Sequence, residues 1–323
     1  MDISVVIVSW NAKRYLEACL ESLEAVPSRR SVEVIVLDNA SSDSTVEMVE
    51  KRFPNVQLIK SEQNLGFAKG NNVAIRRCQG RYIALVNPDV VVFPGCLDAL
   101  ADFLDENPKV GNVGPRVLNP DMTLQSTCRR FPSLWNNFCA AAGLSTAFKK
   151  SRFLAGEHML YFPHDRTLNV DVLVGCFSMI RRETFNEVGL LDEELFMYGD
   201  DVDWCRRCWK AGWQVTFFPG AIAIHDRGKT TAPYPVRFAV AQQRSILHYW
   251  RKYHGFWAGI GIRSIIFSRH LVRGATAAIV GFLRESRSAE AAVRKQVSGA
   301  CLRELFSASF SNDHRIPDAR PSK

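Results

Sequence analysis

Short runs of β-branched residues alternate with segments of helical spacing through the first 118 residues, and this alternation constrains the fold most. Residues 3–9, 32–37 and 82–86 are continuous apolar runs, which is typical of strands buried on both faces of a sheet. The segments between them repeat apolar residues every three or four positions. Strands that alternate with helices on short connections predict an α/β domain with parallel pairing and right-handed crossovers.

The same patterns continue to about residue 225. We predict a loop-rich insertion at 124–166, where Phe, Trp, Arg and small residues follow no regular period. The further predicted strands are 56–60, 110–118, 170–180, 213–218 and 221–224, and the further predicted helices are 94–107, 182–188 and 201–211.

Polar side chains stand at the carboxyl ends of the predicted strands. In open α/β sheets, ligands bind in the crevice beyond those ends. We therefore expect a binding site there. The residues are Ser9, Asn11, Asp38, Asn39 and Asp89.

Two of the candidates have metal-binding side chains. Asp89 ends an Asn-Pro-Asp turn after a buried strand, and a carboxylate there can bind a hard divalent cation. His225 follows the last predicted strand, and the neighbouring Arg227 is suited to a diphosphate. Alone, Asn-Pro-Asp is a common turn and a single histidine is commonly structural, so both alternatives stay open.

The acidic stretch at 192–203 holds six carboxylates in an otherwise basic chain of net charge +8. In the predicted helix, Asp201 shares a face with Trp204 and Cys205, whereas Asp203 pairs with Arg207 as a surface ion pair. Burial raises the pKa of a carboxyl group and a helix N-terminus lowers it. We therefore predict that Asp201 acts as a general base.

Several functional classes are excluded. The Cys-x-x-Cys at 205–208 has no second pair for zinc and does not open its helix after a strand, so we predict buried structural thiols. No glycine-rich dinucleotide or phosphate loop follows the first strand, and no nucleic-acid-binding module is recognisable. Nine cysteines without regular spacing indicate a reducing cytoplasm, and we expect no signal peptide.

The C-terminal part is basic and apolar. Arginines interrupt residues 255–283, which argues against a membrane-spanning helix and favours helices lying in a membrane surface. The alternative is a helical tail packed on its own domain. We predict a catalytic domain at 1–230, a basic amphipathic helical extension at 231–310 and a disordered tail at 311–323.

Six ordered sequence blocks between residues 3 and 229 resemble glycosyltransferase family 2, specifically its bacterial rhamnosyltransferase-like branch. The blocks are 5–11 (VVIVSWN), 38–43 (DNASSD), 64–72 (NLGFAKGNN), 87–90 (NPDV), 175–182 (GCFSMIRR) and 196–203 (FMYGDDVD). The resemblance implies a GT-A fold, that is, a Rossmann-like mixed, mostly parallel sheet flanked by helices, here with a C-terminal helical extension.

The resemblance also implies roles for individual positions. Asp201 matches the general base, and Asp89 matches the metal-binding acid of an Asp-x-Asp element, with Mg²⁺ or Mn²⁺ as cofactor and His225 as a second ligand. Asn87 replaces the first acid of that element, and Asp200 replaces the usual Glu before the base. The expected donor-binding residues are Ser9, Asn11, Asp38, Asn39, Asn64, Gly66, Asn87, Asp89 and Arg227.

The implied activity is an inverting, metal-dependent sugar transfer of the hexosyltransferase type in polysaccharide or cell-wall biosynthesis. We expect a dTDP- or UDP-sugar donor, specifically dTDP-L-rhamnose, and a glycan or polyprenyl-diphosphate-linked acceptor. The expected location is cytoplasmic, peripheral on the inner face of the cytoplasmic membrane, with no nucleic-acid partner. The alternatives are a sugar-phosphate nucleotidylyltransferase and a non-catalytic membrane-surface scaffold. A nucleotidylyltransferase should have a glycine-rich basic loop after the first strand, and the residues there, Ser9-Trp10-Asn11, count against it.

Overall fold

The computed structural model describes residues 1–25, 28–228, 232–283 and 288–306. The chain divides into two compact units. The first unit comprises Met1–Phe131, His158–Glu193 and Asp200–Thr230, and the second comprises Pro132–Glu157, Glu194–Gly199 and the part of Thr231–Lys323 that is described. The predicted tail at 311–323 lies outside the described residues.

Strands and helices alternate along most of the chain. The strands are β1 (Ile3–Ser9), β2 (Val32–Asp38), β3 (Gln57–Lys60), β4 (Tyr82–Val86), β5 (Val90–Val92), β6 (Val110–Leu118), β7 (Leu124–Gln125), β8 (Cys128–Arg129), β9 (Leu168–Asn169), β10 (Val172–Leu173), β11 (Phe177–Arg181) and β12 (Gln214–His225). The helices are α1 (Lys13–Glu24), α2 (Thr45–Arg52), α3 (Phe67–Ile75), α4 (Cys96–Glu106), α5 (Leu134–Ala141), α6 (Leu144–Ala147), α7 (Arg182–Val188), α8 (Asp200–Lys210), α9 (Pro235–Tyr253), α10 (Phe256–Leu283) and α11 (Ser288–Phe306).

The first unit is built on one sheet with the strand order β3-β2-β1-β4-β11-β6-β12-β5. The pairs β1–β2, β1–β4, β2–β3 and β6–β12 are parallel, whereas β11 and β5 run antiparallel to their neighbours. The longest pairings are parallel, which confirms the predicted α/β class with a mixed, mostly parallel sheet. The chain moves from β1 outward to β3 and then returns to β4, so a topological switch point lies between β1 and β4.

The sheet is buried on both faces because alternate side chains of each strand pack against different helices. Ile3, Val5 and Ile7 belong to one core cluster, whereas Val6 and Val8 belong to the other. Burying an aliphatic side chain of this size contributes about 1.5–3 kcal/mol, and these five side chains are at most 8% exposed. The strand ends at the switch point are therefore held by a rigid core.

The structure corrects several predicted elements around the switch point. The two strands predicted at 213–218 and 221–224 are one strand, β12, whose register with β6 shifts between Phe218 and Ile222. The predicted strand at 170–180 is interrupted, because residues 174–176 form a turn between β10 and β11. The short strand β5 was not predicted, and the region 124–166 contains β7, β8, α5 and α6 rather than only irregular chain.

The second unit is helical. The helices α9, α10 and α11 pack on one another, and α5 packs against α10. None of the helices within the described residues has the combination of length and apolar character that a membrane-spanning segment needs.

Candidate active site

Asp89 and His225 face each other at the carboxyl end of β4. Asp89 lies in the turn between β4 and β5, and His225 is the last residue of β12. Because β5 pairs antiparallel with β12 and sets Val90 opposite His225, the carboxylate comes beside the imidazole. The distance from Asp89 Oδ1 to His225 Nε2 is 3.2 Å, and both side chains are buried. Two residues 136 positions apart in sequence thus form one pair.

Gln125 orients the imidazole of His225. Its amide group donates to the His225 carbonyl oxygen at 3.1 Å and to Asn119 Oδ1 at 2.7 Å. The carbonyl oxygen Oε1 therefore lies 2.7 Å from His225 Nδ1 and accepts its proton, which leaves Nε2 directed at Asp89. Burial alone would lower the pKa of His225, but the hydrogen bonds to Asp89 and Cys176 outweigh it and raise the pKa to about 10.

The residues at this end of β4 fit a hard divalent cation. A carboxylate and an imidazole are a common pair of ligands for a divalent cation. The second nitrogen of a metal-binding imidazole is commonly held by a hydrogen bond, as Gln125 holds that of His225 here. Asn87, two residues before Asp89, has a buried Oδ1 that accepts no hydrogen bond from the described residues, so a ligand or cation could supply its partner. Among those residues, no group of three His, Cys, Asp or Glu side chains is close enough to form a complete metal site. A cation here would complete its shell with ligand oxygens or water.

The adjacent carboxylates of Asp200 and Asp201 open helix α8. Asp201 Oδ2 accepts the backbone N–H of Gly175 at 3.2 Å, and its Oδ1 accepts the N–H of Val202 at 2.8 Å. Burial raises the pKa of both groups. It reaches about 8 for Asp200, where the nearby charge of Asp201 adds to the effect of burial. The two backbone N–H groups oppose this effect at Asp201 because they stabilise its ionised form, so Asp200 holds its proton more tightly than Asp201 does.

The turn at Gly175 and Cys176 connects the two groups of residues. The N–H of Gly175 holds Asp201, while the carbonyl oxygen of Cys176 accepts the N–H of Asn87 at 2.9 Å. The Cys176 thiol also lies near enough to His225 to raise the pKa of its imidazole. Consecutive Cα atoms are about 3.8 Å apart, so the Asp89–His225 pair and Asp201 border the same short turn. The two predicted carboxylates therefore lie in one region.

The end of β1 and the end of β2 form the neighbouring part of the site. Ser9 and Asp38 are cross-strand partners and are almost fully buried. Ser9 Oγ and Asp38 Oδ1 have no hydrogen-bond partner within the described residues, whereas Asp38 Oδ2 accepts the N–H of Ser41 at 3.0 Å. Buried polar atoms without partners are rare in proteins and indicate a place where a ligand supplies the hydrogen bond.

Asn39 and Asn64 support a glycine turn beside that part of the site. The Asn39 amide donates to Asn64 Oδ1 and to the Gly66 carbonyl oxygen, and its own oxygen accepts the N–H of Leu65 at 2.7 Å. Gly66 has a φ of +82°, which explains why glycine occupies this position. These residues fix the backbone that leads into α3.

The other two predicted donor-binding residues, Asn11 and Arg227, lie on loops that follow strands. Asn11 also has a positive φ, and its side-chain oxygen accepts the N–H of Ser42 at 2.8 Å, so it joins the loop after β1 to the loop after β2. Arg227 lies on an exposed turn two residues after His225.

The acidic helix α8 corrects one prediction and agrees with another. Asp203 is not part of a surface ion pair: it is buried, and its partner Arg207 also donates to the carbonyl oxygens of Val188 and Leu190. The pair therefore anchors the loop after α7. Cys205 and Cys208 are buried free thiols, as predicted, and burial raises the pKa of Cys208 to about 12. Such thiols are poor nucleophiles.

Sequence reasoning missed Gln125 and assigned no role to Cys176. Gln125 lies 100 residues before His225 in a region predicted to be irregular, so no local pattern links the two. The block at 175–182 does contain Cys176, but only the interrupted strand shows that it turns toward His225.

The chain belongs to glycosyl transferase family 2, whose model matches residues 4–189. It is 30% identical over 272 residues to an N-acetylglucosaminyl-diphospho-decaprenol L-rhamnosyltransferase of Mycobacterium tuberculosis. That alignment covers 78% of this chain and 85% of the relative. The protein is therefore a glycosyltransferase, and the resemblance noted from its sequence blocks is confirmed.

Solved glycosyltransferase structures share the fold. A mannosyltransferase from Pyrobaculum calidifontis in complex with GDP-Man and Mn²⁺ superposes with a TM-score of 0.54 and 15% identity, covering 95% of this chain and 88% of that one. GalNAc-T7 with UDP, GalNAc and Mn²⁺ superposes with a TM-score of 0.58 and 15% identity. This chain spans about half of GalNAc-T7, 48% of its length, while the match covers 78% of this chain. The predicted GT-A class is confirmed.

Proposed function

We propose that this protein is an inverting glycosyltransferase that moves L-rhamnose from dTDP-L-rhamnose to a polyprenyl-diphosphate-linked glycan. The observation that carries the proposal is the turn at Gly175 and Cys176, which contacts Asp201 on one side and Asn87 and His225 on the other. An acceptor hydroxyl beside Asp201 would thus lie close to a donor diphosphate beside Asp89 and His225. The sugar and the acceptor follow the mycobacterial relative, which is named for a rhamnosyl transfer to such a lipid.

Asp201 receives the proton of the acceptor hydroxyl. The two backbone N–H groups keep its carboxylate ionised and aimed into the site, and protonated Asp200 holds no competing charge at neutral pH. The acceptor oxygen forms a bond to the anomeric carbon as the bond from that carbon to the diphosphate breaks. Attack from the face opposite the leaving group inverts the anomeric centre, and no covalent intermediate is required.

Asp89 and His225 would hold a divalent cation, with Asn87 Oδ1 as a further oxygen beside it. Bound Mg²⁺ or Mn²⁺ supplies charge neutralisation for the departing diphosphate. These protein ligands are few, so the donor phosphates would complete the coordination, and cation and donor would bind together. Arg227 on the following turn contributes a second positive charge for the diphosphate.

Ser9, Asp38 and Asn39 bind the nucleoside of the donor. Ser9 Oγ and Asp38 Oδ1, which have no partner among the described residues, would form hydrogen bonds with the base or the ribose, the hydroxyl as donor or acceptor and the carboxylate oxygen as acceptor. The Asn39–Asn64 pair would hold the backbone near Gly66 in place beside the nucleoside. A lipid-linked acceptor would bring the enzyme to the inner face of the cytoplasmic membrane.

A donor screen tests the assignment. The full chain is incubated with dTDP-, UDP- and GDP-sugars and Mg²⁺ or Mn²⁺, with and without a polyprenyl-diphosphate-linked N-acetylglucosamine. We expect dTDP release from dTDP-L-rhamnose to rise on addition of the acceptor, with a product of inverted anomeric configuration. Sugar transfer from none of these donors, with either cation, would contradict the proposal.

Asp201→Asn tests the general base. Removing a positioned base slows the transfer step about 10²–10⁴-fold, while the affinity for dTDP stays unchanged because Asp201 does not bind the nucleotide. Asp102→Asn on the surface of α4 is the matched control and keeps the wild-type rate. Sugar transfer at the wild-type rate by the Asp201 variant would contradict the role of Asp201 as the general base, and unchanged biological activity would favour the non-catalytic scaffold.

A further inference from the structure

Large apolar side chains are exposed unevenly over the molecule. Seventeen are exposed among the described residues, and thirteen of them belong to the second unit. Isolated exposed apolar residues are ordinary, but a concentration of them marks a surface that contacts another partner. The second unit therefore carries a contact surface that the sugar-transfer site does not explain.

Part of this surface is an aromatic cluster at α5. The rings of Trp135 and Phe138 are 5.8 Å apart, and those of Trp135 and Phe153 are 4.9 Å apart. The Trp135 indole N–H donates to the Phe153 carbonyl oxygen at 3.0 Å, so the cluster is fixed. Yet Phe153 is 68% exposed and Phe148 is 53% exposed. The fold holds these aromatic side chains outward instead of burying them.

Helix α10 continues the cluster. A Cβ atom at Gly261 would lie 3.2 Å from Leu134, so α5 and α10 approach each other closely there. One turn earlier on α10, Trp257 is 80% exposed. Along the helix, Ile262 and Ile266 are buried, while an apolar stripe on the opposite side is exposed. The exposed stripe comprises Phe256, Trp257, Ile260, Phe267, Leu271 and Ile279.

The charge of this surface has one sign. Residues 132–156 and 256–283 contain no Asp or Glu. Lys149, Lys150 and Arg152 are exposed between Phe148 and Phe153. Arg263 borders the exposed stripe of α10, because it is seven residues after Phe256 and four before Phe267, which are helical spacings onto one face. We call α5, residues 148–153 and the exposed stripe of α10 the aromatic–basic face.

We propose that the aromatic–basic face docks the protein on a membrane surface rich in anionic lipid. Tryptophan and phenylalanine insert at the boundary between headgroups and acyl chains, and basic residues beside them bind anionic headgroups. A second copy of the chain is a poorer match, because two such faces would bring like charges together. This inference rests on the proposed function in one respect: the proposed lipid-linked acceptor would lie in the same membrane.

Vesicle binding tests the charged part of the face. The full chain is sedimented with vesicles of phosphatidylcholine alone or with 30% phosphatidylglycerol. We expect tight binding only to the anionic vesicles, and the variant Lys149→Gln/Lys150→Gln/Arg152→Gln should bind on the order of 100-fold more weakly, because each basic residue near the surface contributes about a factor of five. The control Lys51→Gln/Arg77→Gln/Lys109→Gln removes the same charge from the first unit and should bind like the wild type.

A second pair of variants tests the aromatic part. Phe153→Ser and Trp257→Ser should each reduce vesicle binding, and brominated lipid should quench wild-type tryptophan fluorescence more than that of the Trp257 variant. Hydrolysis of dTDP-L-rhamnose without lipid should be the same in all variants, so a failure of docking is distinguishable from a failure of the proposed reaction. Equal binding to neutral and anionic vesicles, or equal binding by the two triple variants, would overturn the proposal. So would aromatic variants that convert a dimer to a monomer without changing vesicle binding.

Discussion

The substitution Asp200→Asn tests the electrostatics of the acidic helix directly. Asp200 is only 6% exposed, and burial together with the charge of Asp201 raises its pKa to about 8 from an ordinary value of 3.8. A raised pKa means that the folded protein binds this proton more tightly than the unfolded chain does. The stability that the proton provides is therefore fully present at low pH and is lost as the pH rises toward and through 8.

The size of the loss follows from the two pKa values. Between pH 6 and pH 9 the unfolded carboxyl group is ionised throughout, whereas the folded group changes from protonated to mostly ionised. Linkage then gives a loss of about 2–3 kcal/mol in the free energy of unfolding over this interval. Asparagine has nearly the same shape and no charge, so Asp200→Asn does not suffer this loss. The free energy of unfolding of the variant, relative to that of the wild type, should therefore rise by about 2–3 kcal/mol between pH 6 and pH 9.

Urea denaturation at pH 6, 7, 8 and 9 without added divalent cation measures the difference. Ionisations common to both proteins cancel when the two free energies of unfolding are subtracted. Asp102→Asn is the control, because hydrogen bonds from Arg30 and Arg29 hold the pKa of Asp102 below its ordinary value and the group stays ionised over the whole range. A difference between wild type and Asp200→Asn that is the same at pH 6 and pH 9 would refute the argument.

Three further outcomes follow from the site. Gln125→Leu should weaken Mn²⁺ binding about 10–100-fold, because His225 loses its fixed orientation, and Gln125→Glu should restore the affinity. Electron paramagnetic resonance of the free ion measures the affinity. An unaltered affinity in the leucine variant would contradict this role of Gln125. Asp38→Ala should weaken dTDP binding in calorimetry about 10–100-fold, since a charged hydrogen-bond acceptor is lost, and equal affinity would remove Asp38 from the nucleoside site. Cys208→Ala should lower the free energy of unfolding by about 1 kcal/mol without changing dTDP affinity, and a loss of affinity would show that the buried thiol has a functional role.

The sequence predicted the part of the fold that depends on local pattern. The buried runs at β1, β2 and β4 are continuous and β-branched, so their position and parallel pairing were recognisable, as was the placement of Ser9, Asp38 and Asp89 at strand ends. Periodicity and strand-end rules are local properties, and they succeed where burial is complete on both faces.

The remaining features depend on long-range contacts. Strand β5 has only three residues and exists because it pairs with the distant β12, and this pairing is what brings Asp89 to His225. The burial of Asp203 likewise depends on the end of α7 and the loop after it, whose carbonyl groups at Val188 and Leu190 bind Arg207. Helical spacing placed Asp203 on an outer face, but a neighbouring loop covers that face in the folded chain.

The central claim is that a cation held by Asp89 and His225 lies beside the turn that holds Asp201. Iron-directed cleavage tests it most directly: Fe²⁺ replaces Mn²⁺ in the presence of dTDP, and ascorbate with peroxide then cuts the backbone near the bound ion. We expect cuts at residues 87–90, at 174–177 and at 225, all suppressed by excess Mn²⁺ and absent in Asp89→Ala. Cuts confined to other parts of the chain, or no cut at 174–177, would contradict the claim.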